Sequence, residues 1–299
     1  KPIALNAEFL KEKLDGLFGK GVSDRPDGQR VAAAIAVLQS LAIISGGPGT
    51  GKTTTITRML AIYLQIQRHQ NPDAAPIICL AAPTGKAAAR LSESISLARD
   101  SLDVSEDVKQ LIPDQGTTLH RLLGARPGQT SFKYNADNPL HLDLLVVDEA
   151  SMIDLPLMAS LLVALPEHAR LILIGDKEQL ASVEAGSVLG DLCSVPDDVL
   201  GSESMAALLY DTCQWPVLQG GNIKPFADSV AFLKYSYRFS KESGIGALAR
   251  AVNAGDAKQL KAVFTVGYAD IKRIPVTADN DQLIQHMLEK YRAYRSDVL

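Results

Sequence analysis

The spacing of hydrophobic residues changes several times along this chain, and each change marks an element. Over residues 8–18 apolar side chains fall at 9, 10, 14, 17 and 18, one face of a helix, and GKGVSDRPDG after them predicts a loop. Residues 29–40 predict an Ala-rich helix that leads into LAIIS at 41–45, a run short enough for a buried strand. Further apolar runs, IICLAA at 77–82, LLVV at 144–147 and LILIG at 171–175, each stand before helix-like sequence. These runs are continuous rather than alternating, as expected when helices cover both faces of a sheet, so the pattern predicts a parallel α/β sheet. Residues 195–230 scatter Gly, Ser and Pro among apolar patches and give no assignment. From Gly244 the pattern turns helical again, in IGALARAVNAGD and in DQLIQHMLEKYRAY, whose apolar residues fall at 283, 284, 287, 288 and 291.

Bulk properties narrow the picture only a little. The 299 residues suffice for about two domains at roughly 150 residues each. No apolar run approaches the ~20 residues a membrane helix needs, so a soluble globular protein without a membrane partner is expected. The opening KPIALNAEFLKEKL has neither an initiator Met nor a signal-peptide pattern, which suggests a piece of a longer polypeptide. Cys79, Cys193 and Cys213 match no metal spacing and read as core thiols of a reducing, cytoplasmic compartment. His69, His141, His168 and His286 likewise show no ligand spacing. A net charge of −4 argues against a general basic coat for nucleic acid, so any such site must be local.

The sharpest chemical signal is GGPGTGKT at 46–53, which satisfies G-x-x-x-x-G-K-[ST] directly after an apolar strand and before a helix. Glycines let backbone amides turn inward as an anion nest, and the following helix adds its positive end. Candidate nucleotide-binding residues are Gly46, Gly47, Pro48, Gly49, Thr50, Gly51, Lys52, Thr53 and Thr54. Lys52 would reach the β and γ phosphates, and the Thr53 hydroxyl would ligate magnesium. Asp148 and Glu149 follow the run LLVV, where ligands gather in open α/β sheets; Asp148 would hold magnesium and Glu149 would orient or deprotonate the attacking water. Gln179, just after the strand LILIG, could position water beside the γ-phosphate without carrying charge.

The ordered set GGPGTGKTTT, AAPTGKAAARL, TLHRLLG, LLVVDEASMID, GDKEQLASVEAG and SYRF resembles superfamily 1 helicases, and within them the RecD family of exodeoxyribonuclease V alpha subunits. The resemblance covers roughly residues 25–250. It implies a RecA-like P-loop NTPase domain with a mainly parallel sheet, powered by ATP and Mg2+, moving 5′ to 3′ on single-stranded DNA. It implies RecB and RecC as partner subunits in double-strand break repair and recombination. Gln29 matches a glutamine that recognises adenine, and Arg238 an arginine that reaches the γ-phosphate. Between Tyr237 and Phe239, Arg238 could equally be a structural cation stacked on rings.

Thr84, Lys86 and Arg90 in one segment, and Thr118, His120 and Arg121 in another, could meet DNA phosphates near helix starts. In the family these two segments correspond to the surface that holds the single strand. Phe132 and Tyr134 are the only aromatic residues near them, in a polar loop. The expected division is a helical segment at 1–24, a first motor domain at 25–243, and a linker or incomplete second motor domain at 244–299. No counterpart of a second motor domain's arginine follows Arg238, so the expectation for this polypeptide is ATP-Mg binding with slow turnover. Two other readings stay open: a P-loop ATPase or kinase unconnected with DNA, and a nucleotide-dependent interaction subunit.

Overall fold

The computed structural model describes residues 6–20, 27–129, 131–179, 188–194, 199–200, 202–215, 218–219, 226–239, 242–273 and 281–298. Residues 21–26 of the loop read at 19–28 and the motif residues 180–186 lie outside them, as does part of the unassigned 195–230 stretch. The chain divides into two compact units, Lys1–Arg238 and Phe239–Leu299.

The first unit begins with α1 (Ala7–Phe18), α2 (Gly28–Leu38), β1 (Leu41–Gly46), α3 (Lys52–Gln70), β2 (Ile78–Ala82), α4 (Gly85–Asp100) and α5 (Glu106–Leu111). It continues with β3 (Gly116–Thr118), α6 (Leu119–Leu122), β4 (Leu144–Val147), α7 (Leu155–Ala164), β5 (Arg170–Gly175) and α8 (Val188–Leu192). It ends with β6 (Val199–Leu200), α9 (Glu203–Cys213), β7 (Leu218–Gln219) and β8 (Val230–Leu233). Its main sheet has the order β3-β2-β4-β5-β1-β8, and every neighbouring pair is parallel. This is the parallel α/β sheet that the apolar runs predict. β3 and β8 escaped the sequence reading because the first has three polar or small residues, GTT, and the second sits in the patchy 195–230 segment.

The strands sort their side chains by parity, as a pleat requires. Ile44, Leu80, Val146, Ile172 and Leu233 join a core with α1, α2, α3, α4 and α9, while Ile43, Ala81, Val147, Leu173 and Val230 join a second core with α6, α7 and α8. Continuous hydrophobic runs follow from these two filled faces. Helix α2 is buried from Gln29 to Leu38, so no face is left for solvent, and its alanines at 32, 33, 34 and 36 let α3, α9 and β8 approach closely.

Two buried arginines tie these layers together. Arg170, at the start of β5, donates to the carbonyls of Val37 (2.9 Å) and Gln39 (2.8 Å) and so satisfies the open end of α2. Burial lowers its pKa, opposed by the nearby Tyr63. Arg30, only 3% exposed, pairs with Asp15 of α1 (2.6 Å) and donates to the carbonyls of Gly19 (2.8 Å) and Thr212 (2.6 Å). It thereby joins α1, α2 and α9.

In the second unit, α10 (Gly244–Asn253) and α11 (Ala257–Val266) pack together, and α12 (Asp281–Val298) follows. Asp270 accepts hydrogen bonds from the Ser243 hydroxyl and from the Gly244 and Ile245 amides, which hold its carboxyl below the usual range. No described helix is long and apolar enough to cross a membrane.

Arg30→Ala leaves Asp15 and two carbonyls without their cation. Removing one partner of a buried pair costs ~3–5 kcal/mol, and since Asp15 keeps a quarter of its side chain exposed, the expected loss is about 3 kcal/mol. Urea unfolding measures it; a loss below about 1 kcal/mol would mean that the pair does not tether α1.

Candidate nucleotide-binding site

Because all six strands of the main sheet run the same way, the segments following them open on one edge of the sheet. The chain leaves β1 at Gly46, turns through residues 47–51 and enters α3 at Lys52. Gly49 (φ 75) and Gly51 (φ 80) adopt left-handed conformations. These cost other residues roughly 1–2 kcal/mol. Space also demands glycine, since a methyl on Gly49 would strike the Arg238 side chain and one on Gly51 the Gln29 amide. No side chain caps α3, so its first-turn N–H groups keep their capacity for an anion.

Three distant groups hold the loop in shape. Gln29 Nε2 donates to the Thr50 carbonyl (3.0 Å), the Tyr237 amide donates to the Gly49 carbonyl (2.8 Å), and Ser236 Oγ donates to the Pro48 carbonyl (3.1 Å). Lys52 Nζ donates to the carbonyls of Gly46 (2.6 Å) and Gly47 (3.3 Å), which keeps the ammonium at the loop.

Across β5 from β1, strand β4 delivers the two acids. Asp148 Oδ1 accepts from the Glu149 amide (2.9 Å), and Glu149 itself is left-handed (φ 52). A non-glycine residue held there stores on the order of 1–3 kcal/mol, a cost that recurs at functional sites. Burial pushes the Asp148 carboxyl up. The Glu149 amide bond opposes this, the Glu149 charge adds to it, and Lys52 opposes it. After β5, Gln179 Oε1 accepts from the buried Ser151 hydroxyl (2.8 Å), which fixes the amide beside the turn carrying the acids. Ser45 in β1 accepts from the Lys177 amide (3.1 Å) and ties this turn to the P-loop strand.

A cavity of about 890 Å³ gathers these parts. It is lined by residues 47–54, by Arg90, Leu91, Glu93 and Ser94 of α4, and by Asp148, Glu149, Asp176, Gln179, Tyr237 and Arg238. All four residues expected to be catalytic, Lys52, Glu149, Gln179 and Arg238, therefore meet. Gly46 and Gln29 sit behind the loop, both buried. A smaller cavity of about 340 Å³ adjoins it, lined by Thr84, Lys86, Ala87, Arg90, Asp148, Glu149, Met152 and Gln179. Thr118, His120 and Arg121 line neither cavity; Thr118 ends β3, paired with Ala82 of β2, and His120 and Arg121 follow it in α6, so both segments leave neighbouring strand ends. The Thr118 hydroxyl accepts from the Arg121 amide (3.2 Å), and the His120 ring meets Phe132 edge-on at 5.9 Å.

The donor set fits a nucleotide's phosphates: uncapped helix amides, a lysine at the loop, and two oxygen donors, Thr53 and Asp148, of the kind a hard cation takes. Five participants were not singled out in the sequence reading. Ser236, Tyr237 and Ser151 lay inside quoted motifs, and Asp176 stood second in another. Ser45 carried no sequence signal, since its role rests on a strand neighbour 132 positions away.

The raised Asp148 pKa has a definite sign. Between the ordinary carboxylate value of about 4 and the raised value, the folded state binds more protons than the unfolded chain, so stability falls as pH rises through that window. Asp148→Asn is expected to raise the thermal midpoint at pH 7, with the gain shrinking as pH falls toward about 4. A loss of stability at pH 7 would contradict this.

The AAA domain family matches residues 29–185. RecBCD enzyme subunit RecD of Haemophilus influenzae is 39% identical over 301 residues, covering 98% of this chain and 46% of the relative. The subunit of the same name from Mycolicibacterium smegmatis is 42% identical over 281 residues, covering 93% and 44%. The ATP-dependent RecD2 DNA helicase of Deinococcus radiodurans is 40% identical over 148 residues, covering 49% and 17%. The chain thus spans less than half the length of these relatives. With more than half of its residues inside the family match, the chain belongs to the AAA domain family, and its sequence resembles the RecD subunits over the length shared with them.

Proposed function

We propose that this chain is the first motor domain of an ATP-driven 5′ to 3′ DNA helicase of the RecBCD type, working with RecB and RecC in double-strand break repair in the cytoplasm. The observation that carries the reading is the meeting of Lys52, Asp148, Glu149, Gln179 and Arg238 in one cavity with the P-loop. A kinase passing phosphate to a small hydroxyl would not need a second carboxylate and a glutamine arranged for water. The names of the RecD and RecD2 relatives support the DNA substrate and the partner subunits. Residues 244–299 belong in this reading to a linker or to the start of a second motor domain.

The chemistry divides among the residues as follows. Loop amides, Lys52 and Thr54 would hold the phosphate chain, and Thr53 and Asp148 would hold a magnesium ion, which would supply positive charge against the phosphates. Glu149 accepts a proton from the water that Gln179 orients, the water oxygen bonds to the γ-phosphorus, and the bond to the β-phosphate oxygen breaks to release ADP. Arg238 stabilises the charge on the transferred group. Tyr237, exposed in the same cavity, offers a ring face to the base, and Gln29 contributes to adenine recognition while bracing Thr50. Thr84 and Lys86, with Thr118, His120 and Arg121, form the surface for the single strand.

The test measures ATP hydrolysis, in a polypeptide that includes the second motor domain, with single-stranded DNA, with double-stranded DNA and with none. Stimulation by single strands supports a motor; equal rates in all three conditions would mean an ATPase unconnected with DNA. Lys52→Gln is expected to abolish hydrolysis. Glu149→Gln is expected to keep nucleotide binding and lower turnover by ~10² or more, and a Glu149→Gln protein with normal turnover would remove Glu149 from the chemistry.

A further inference from the structure

Arg90 stands where the two cavities meet. Helix α4 buries Ala88, Leu91 and Ile95 against the core, which leaves Arg90 exposed to one side of that face. The neighbouring candidates for strand binding are placed differently. The Thr84 hydroxyl is engaged as the N-cap of α4, accepting from the Ala87 amide (3.2 Å), and Lys86 lines only the smaller of the two cavities. Arg90 lines both, beside Asp148, Glu149 and Gln179 in each. Among the described residues no hydrogen bond, ion pair or ring contact engages its guanidinium.

We infer that Arg90 is a nucleotide-contacting residue, donating to the terminal phosphate of a bound triphosphate from the side of the acids. The inference rests on the nucleotide site proposed above and goes beyond it, since the motif reading gave this arginine to the DNA strand. Lys52 approaches from the loop and Arg238 from beside Gly49. The acid side of the cavity, made by Asp148 and Glu149, would otherwise set two carboxylates toward a highly charged phosphate. A guanidinium there offsets that repulsion, and its planar fork matches two phosphate oxygens at once. Only a triphosphate extends to this wall, so the contact distinguishes ATP from ADP. Lys86 lies one helical turn earlier on α4, so a strand phosphate held there and the nucleotide's terminal phosphate would engage adjacent positions of one rigid helix.

The experiment is calorimetric titration of the 299-residue chain, without DNA, with magnesium and either the β,γ-imido analogue of ATP or ADP, for the wild type, Arg90→Ala and Arg90→Lys. Arg90→Ala is expected to weaken the triphosphate analogue by about tenfold while leaving ADP unchanged, with Arg90→Lys recovering part of the loss. The position is exposed and helical, so alanine leaves the fold intact. Wild-type affinity for the analogue in Arg90→Ala, or equal weakening of both nucleotides, overturns the inference while the nucleotide site stands. A wild-type chain that binds neither nucleotide removes the site itself, and this inference with it.

Discussion

Parallel pairing throughout the main sheet is the constraint from which the rest of the molecule follows. Once β1, β2, β4, β5 and β8 all run one way, every return passes through a helix on one face or the other, and each strand's carboxyl end opens on the same edge. The P-loop, the acid pair, the turn carrying Gln179 and the segment carrying Arg238 are then neighbours without any further device. Buried strand runs and a clustered site are two consequences of one topology.

Within that edge, the loop's shape depends on groups far from it in sequence. Gln29 comes from α2, ahead of β1, while Ser236 and Tyr237 follow β8, yet all three bond to loop carbonyls. The glycines that let amides turn inward also make room for these braces: Gln29 fills the space beside Gly51 and Arg238 the space beside Gly49. Gln29 and Arg238 are thus parts of the cradle wall. Strain is held at a second point, Glu149, where the left-handed backbone re-aims the chain immediately after a strand.

The surrounding helices transmit this order to the strands. Helix α2 is buried all round, and its carbonyl end is closed by Arg170 of β5, the strand that lies between the P-loop strand and the acid strand. Arg30 at the other end of α2 anchors α1 and α9. The element that carries Gln29 is therefore fixed at both ends by buried, charge-assisted hydrogen bonds, whose geometry is specific in a way that apolar contact is not.

The apolar runs LAIIS, LLVV and LILIG determined by themselves that buried parallel strands exist, because a strand covered on both faces needs no polar alternation. GGPGTGKT determined the phosphate loop, because its glycines and lysine act within a few residues of one another. Strands β3 and β8 were not legible: GTT and VAFL gain their strand character from β2 and β1 beside them. The bond from Ser151 to Gln179, the link from Ser45 to residue 177, the left-handed Glu149 and the place of Arg90 between two cavities were decided only by the tertiary structure. The physical reason is separation. A motif records contacts made along the chain, whereas these depend on which strand ends the sheet sets side by side.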